Sequence, residues 1–221
     1  MFDLNGIPVI GRILNALEQS SLIKKIIVVT TKNKQDDELV RYLQKNNYEY
    51  FRGSENNVLE RFILALKEDN PDLVVRITAD CPLIEPKIVD KVIGLAIDTD
   101  SDYTSNILKR TFPDGYDVEV IKFSILKQIN KMVTDPDERE HVTQHIIKNI
   151  EKFNVKNFEA SKENTHPDWR LTLDYGEDYD LIKKIYDLFP KNHYISYNDV
   201  IEKILLNPKL IKINSKYSLY K

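Results

Sequence analysis

One cysteine, six glycines and no long apolar run set the first limits on this chain of 221 residues. A lone cysteine, Cys81, excludes an internal disulfide framework. Without an apolar stretch of about 18 residues, no membrane-spanning helix is expected. An excess of positive charge is missing too: 32 Lys and Arg stand against 35 Asp and Glu, a net charge of -3. Nucleic-acid binders carry basic patches, so no nucleic-acid partner is expected. Met1 leads into Phe2-Asp3-Leu4-Asn5-Gly6 with neither a basic segment nor an apolar h-region, and the chain reads as cytoplasmic. There is no internal repeat, low-complexity tract or Pro/Gly linker, so residues 1–221 read as one domain. No Gly-rich or Arg/Lys-rich phosphate loop opens the chain.

What is present suits an α/β protein. Hydrophobic residues make up 42%, enough for a core, and charged residues of both signs make up 30%. Ile26-Ile27-Val28-Val29-Thr30-Thr31 and Leu73 to Ile77 read as buried strands, and Tyr48 to Arg52 as a weaker one. Helices are expected at 8–19, 35–46, 57–67 and 85–97, with Ser54 as the cap of the third. This alternation favours a parallel sheet with right-handed crossovers. Further on, 117–121, 169–174 and 210–214 read as strands. Helices are expected there at 123–132, 137–150, 177–188 and 197–206.

Two of the strands deliver an aspartate at their carboxyl end: Asp80, after Arg76-Ile77-Thr78-Ala79, and Asp174, after Leu171-Thr172-Leu173. Ligands of open α/β sheets sit at that end. Two carboxylates brought together there suit a Mg²⁺ ion bridging nucleotide phosphates. Each aspartate could equally cap the helix that follows it. Arg52-Gly53-Ser54 leads from a strand into the helix carrying Arg61, a turn open to an anion or simply a capped turn. Pro113-Asp114-Gly115 is a turn, and Asp117 and Glu119 beyond it share a strand face that could meet sugar hydroxyls or solvent. His141 and Arg139 begin a helix and are candidates for an anion, although a lone His there is more often structural. Cys81 reads as a small buried residue rather than a nucleophile.

Taken in order, several blocks make a pattern. They are Phe51-Arg52-Gly53-Ser54-Glu55, Val58-Leu59-Glu60-Arg61, Arg76 to Ile84, Ser105-Asn106, Pro113-Asp114-Gly115, Asp117-Val118-Glu119-Val120, Arg139-Glu140-His141-Val142-Thr143 and Leu171-Thr172-Leu173-Asp174. Together they resemble the cytidylyltransferase family, in the branch of spore coat polysaccharide biosynthesis and near the acylneuraminate and 3-deoxy-manno-octulosonate cytidylyltransferases. The resemblance runs from about residue 3 to residue 214. It implies a three-layer α/β/α nucleotidyltransferase-like, Rossmann-like fold with a mostly parallel sheet. It implies transfer of CMP from CTP to a sugar acid, with release of pyrophosphate. Asp80 and Asp174 would then be catalytic and hold Mg²⁺. Arg52, Gly53, Ser54, Arg61 and Thr78 would lie near the nucleotide, and Asn106, Asp114, Glu119 and His141 on the sugar side. A homodimer is a further implication.

Family members begin with a strand and a cation-bearing loop, and Met1 falls just past it. The chain is therefore expected to be N-terminally truncated, with the first strand missing and catalysis impaired. Loss of one charge-stabilising arginine in phosphoryl transfer can cost ~10³–10⁵ in rate. A non-catalytic sugar-binding or scaffold paralogue is the alternative. A metal-dependent glycosyltransferase ranks third, on the letters of Asp98-Thr99-Asp100 and Asp100-Ser101-Asp102.

Overall fold

The computed structural model describes residues 2–191 and 194–218. Strands β1 (Asp3–Leu4) and β2 (Ile7–Pro8) form an antiparallel hairpin. Its turn places Asn5 at φ 55° and Gly6 at φ 82°, the pair of positive angles that Asn-Gly tolerates. Helix α1 (Val9–Leu17) follows with Pro8 as its N-cap. The apolar run next in sequence becomes β3 (Ile27–Thr31). Helix α2 (Asp37–Lys45) leads to β4 (Glu49–Gly53), which pairs parallel with β3. Helix α3 (Val58–Ala65) is capped by Asn57, whose side chain accepts from the Glu60 amide. Ser54, expected in that role, accepts from the Asn57 amide instead.

Strand β5 (Leu73–Arg76) ends four residues before Asp80. Helix α4 (Pro86–Asp98) is capped by Glu85 and not by Asp80. Strands β6 (Tyr103–Ser105) and β7 (Glu119–Lys122), then helices α5 (Phe123–Met132), α6 (Pro136–Glu140) and α7 (Gln144–Lys148), precede β8 (Val155–Asn157). Helices α8 (Gly176–Asp187) and α9 (Tyr197–Leu206) close the series.

The strand order of the larger sheet is β5-β7-β6-β8, with β7 antiparallel to both neighbours and β8 parallel to β6. The sheet is thus mixed rather than mostly parallel. Side chains alternate across it. Val120 belongs to the core beneath α1, α4, α8 and α9, and Ile121 to the core beneath α3 and α5. Helices therefore cover both faces, which is the three-layer α/β/α arrangement.

Three expected elements take other forms. The helix expected at 137–150 breaks into α6 and α7 at Val142, whose φ is 54°. A β-branched residue at positive φ is strained by roughly 1–3 kcal/mol. Full burial of Val142 and the bond from Thr143 Oγ1 to Glu119 Oε1 (2.5 Å) hold it there. Residues 169–174 form a single parallel bridge, Arg170 with Asp114, rather than a strand. The amides of Asp174 and Tyr175 turn to the Asp178 carboxylate, 3.0 Å away in each case. Residues 210–214 satisfy themselves locally as a 3₁₀ turn over Leu210–Lys212.

Candidate active site

Two segments from distant parts of the chain end side by side. Thr172 Oγ1 donates to the Asp80 carbonyl at 3.3 Å, which sets the Asp80 turn against the segment leading to Asp174. Asp114 joins them. Its amide donates to the Trp169 carbonyl (3.0 Å) and its carbonyl accepts from the Leu171 amide (2.6 Å). Gly115, at φ 105°, makes this approach close: a Cβ there would lie 2.6 Å from the Thr172 nitrogen.

Arg170 is the electrostatic hub. It is 8% exposed and reaches three carboxylates: Asp114 Oδ2 at 3.0 Å, Asp174 Oδ2 at 2.5 Å and Asp178 Oδ2 at 3.0 Å. Burial opposes its charge, and the bonds to Asp178 and Asp174 more than offset that, so the guanidinium is held protonated more firmly than usual. Asp178 is fully buried; burial pushes its carboxyl up, but Arg170, Asn214 and two backbone amides bring the net shift below the ordinary value. Arg110 pairs with Asp117 through both guanidinium NH groups, at 2.6 and 2.8 Å.

Burial pushes the Asp114 carboxyl up to about 6, and repulsion from Asp117 and Asp80 adds to this against the pull of Arg110 and Arg170. A folded-state pKa above the ordinary 3.8 means that the fold binds this proton more tightly than the unfolded chain does. The stabilisation is complete below the ordinary value and is lost as pH rises through 6. By this linkage, ionised Asp114 costs the fold on the order of 2–3 kcal/mol at neutral pH. The stability of the native chain relative to Asp114→Asn should therefore rise by on the order of 2 kcal/mol from pH 7.5 to 4.5. Urea unfolding of both proteins at the two pH values measures it, and a pH-independent difference would refute it.

The structure groups the other sequence candidates differently. Of the residues expected near the nucleotide, Arg52, Gly53, Ser54 and Arg61 lie at the end of β4 and the start of α3, and Thr78 in the Asp80 turn. Arg52 donates to the carbonyls of Thr31 and Asn33, both at 2.8 Å, and pairs with Asp37. Gly53 lies against the Arg61 stem; a Cβ there would approach Arg61 Cγ to 2.9 Å. Arg61 is buried, which lowers its pKa, and its Nε has no partner. That orphaned donor is where an acceptor on a ligand could bind. Thr78 Oγ1 lies 3.3 Å from Cys81 Sγ. Burial raises the pKa of that thiol, as do Asp80 and Asp117, so Cys81 stays protonated and inert as expected.

Of the residues expected on the sugar side, Asp114 is at the acidic end. Asn106 and Glu119 lie behind it and not in it. Asn106 is 1% exposed and clamps its own loop, donating to the Tyr116 carbonyl (2.7 Å) and accepting from the Val118 amide (2.9 Å). Glu119 is buried and accepts from Tyr103, Thr143 and Arg76. These two shape the site rather than present polar atoms to a ligand. His141 is exposed and lies 3.4 Å from Asp137. Asp100 and Asp102 both pair with Lys122 beyond the C-terminal end of α4, so the letters that suggested a glycosyltransferase belong to a surface ion pair.

Sequence reasoning missed Arg110, Arg170, Asp178 and Asn214. One signal for Arg170 was available: alternation of Trp169, Leu171 and Leu173 puts Arg170, Thr172 and Asp174 on one side.

Among the described residues, no cluster of three or more His, Cys, Asp or Glu is placed to hold a metal by itself. Asp80 and Asp174 offer hard oxygen donors, and Arg170 binds Asp174 through Oδ2.

An α/β/α protein whose acidic residues are gathered around a buried arginine is the class that this fold and site define. Residues 1–204 match the family model described as cytidylyltransferase. The chain belongs to the cytidylyltransferase family, enzymes of polysaccharide and sugar-nucleotide synthesis. It is 30% identical over 201 residues to spore coat polysaccharide biosynthesis protein SpsF of Bacillus subtilis strain 168, covering 89% of this chain and 82% of that one. A solved cytidylyltransferase from Leptospira borgpetersenii superposes with a TM-score of 0.87 at 33% identity, over 96% of this chain and 88% of that chain. CMP:2-keto-3-deoxy-manno-octonic acid synthetase, solved with CTP, shares the fold at a TM-score of 0.58 and 12% identity, over 85% and 89% of the two chains. Among the described residues, no helix is long and apolar enough to cross a membrane.

Proposed function

We propose that this chain binds CTP and a sugar acid at the Asp80–Asp174 end of the sheet and supports CMP transfer. The juxtaposition of the Asp80 turn with the Thr172 segment is the observation that carries this reading. In the reaction, a sugar hydroxyl oxygen attacks the α-phosphorus. The bond from that phosphorus to the β-phosphate oxygen breaks, pyrophosphate leaves, and the hydroxyl proton passes to solvent. Such chemistry rests on positioning and charge neutralisation. Asp80 and Asp174 would hold Mg²⁺, which when bound neutralises phosphate charge. The Arg52-Gly53-Ser54 turn and the unpartnered Arg61 Nε face the nucleotide in this reading, and Asp114 and His141 the sugar. CTP is an intracellular metabolite, so the reading places the reaction in the cytoplasm.

The two cations at the acidic end, Arg110 and Arg170, are already bound to carboxylates. Neither is available to a triphosphate without giving up a partner, so transfer is proposed to be slow. The same observation is what a non-catalytic sugar-binding paralogue would show.

Calorimetry of CTP binding with and without Mg²⁺, on the native chain and on Asp80→Asn, tests the proposal. The native chain should bind only with Mg²⁺. The variant should bind more weakly by at least the roughly 10–100-fold seen when metal-supporting residues are removed. A folded native chain that ignores CTP but binds sugar acids would replace this reading with the paralogue.

A further inference from the structure

The last described turn folds back onto the Asp174 end of the site. Asn214 is 1% exposed and donates through Nδ2 to the Arg170 carbonyl (2.9 Å) and to Asp178 Oδ1 (2.7 Å). Asp178 in turn accepts from the amides of Asp174 and Tyr175. Three residues on, the Tyr217 ring stacks on Tyr175, with centroids 3.9 Å apart and 10° between the planes. The Tyr217 hydroxyl and Lys216 Nζ both donate to Glu177, at 3.2 and 2.5 Å. Ser218 Oγ donates to the Asp168 carbonyl at 2.8 Å. Arg170 Cζ lies 5.4 Å from the centroid of the Tyr175 ring while its NH2 group holds Asp174 Oδ2.

Both neighbours of Asp174 in this network, its own backbone and Tyr175, are thus fixed from the 214–218 segment. The Asp174 side chain is 50% exposed and is held by Arg170, whose carbonyl and whose partner Asp178 both accept from Asn214. We infer that residues 214–218 form a strap that sets the direction of the Asp174 carboxylate, with Asn214 and Tyr217 as positioning residues for cation binding. The inference rests on the proposed role of Asp174 as a cation ligand. Groups that orient a metal ligand without touching the metal typically govern affinity by roughly 10–100-fold. Aromatic stacking suits the task, because it fixes a ring plane at little side-chain entropy.

The full chain is titrated with Mn²⁺·CTP by calorimetry, beside Tyr217→Ala, Tyr217→Phe and Asp174→Asn. Tyr217→Ala should weaken binding by roughly 10-fold. Tyr217→Phe keeps the stacked ring and should bind within about twofold of the native chain. Native affinity in Tyr217→Ala while Asp174→Asn loses binding would overturn the strap and leave the function standing. Native affinity in Asp174→Asn would overturn the proposed function itself. A second readout needs no nucleotide: amide exchange at Asp174 and Tyr175 should quicken by about 10-fold in Tyr217→Ala, since local opening is then easier. Unchanged exchange there, or a lowered Tm with unchanged binding, would overturn the strap.

Discussion

Gly115→Ala should be among the most damaging single-methyl additions to this protein. At φ 105° a side chain is strained, and the new Cβ would sit 2.6 Å from the Thr172 nitrogen and closer still to the Leu171 carbonyl. Backbone cannot yield as the end of a flexible side chain can. Strain and overpacking together should remove about 4 kcal/mol. For a chain of this length, that is a fall in Tm of roughly 10 °C. The damage is also local. The contact that the methyl would break is the Asp114–Arg170 bridge, which brings the acidic residues together. Thermal unfolding by circular dichroism reads the first effect, and an unchanged Tm would refute the geometry. Gly176→Ala provides the control, since a Cβ there meets nothing within 4 Å.

Arg170→Leu should cost the fold about 3–5 kcal/mol, because breaking a buried ion pair strands the remaining charge. Asp178, fully buried, would keep its carboxylate with only Asn214 and two backbone amides. Asp114 would keep only the more distant Arg110 at 3.7 Å. Two consequences separate this from simple loss of packing. Asp178→Asn added to Arg170→Leu should recover about half of the loss, since the amide oxygen still accepts from the backbone while the charge is gone. The pH dependence of the Asp178 contribution should also change sign. In the native chain, the Asp178 pKa lies below its ordinary value, so its contribution is present above that value and fades as pH falls through the folded pKa. Without Arg170, burial dominates and raises the pKa, so acidification from neutral pH should stabilise the variant. Urea unfolding from pH 4 upward would show it, and a loss under about 1 kcal/mol would refute the hub.

Much of this protein could be read from local pattern. Strand β3 follows from its β-branched run, and α4 from Pro86 and its apolar spacing. The family blocks fixed the order of the motifs. Local pattern failed where distant residues decide the outcome. Val142 breaks an otherwise continuous helix because its side chain enters a core built by α3 and α5, and Thr143 reaches Glu119. Strands β6 and β8, at three residues each, are too short to show a period.

The site divides in the same way. Sequence by itself determined which residue types end the short apolar segments, since side chains alternate along extended backbone. Only the tertiary structure decided which polar groups meet a ligand and which are spent inside the protein. The resemblance puts Asn106 and Glu119 on the sugar side, and the structure ties both into internal hydrogen bonds. Arg170, which the sequence did not single out, ties together three carboxylates. The physical reason is that a polar side chain's role depends on burial and on its partners, and here those partners lie as far as 92 residues away, as between Thr172 and Asp80.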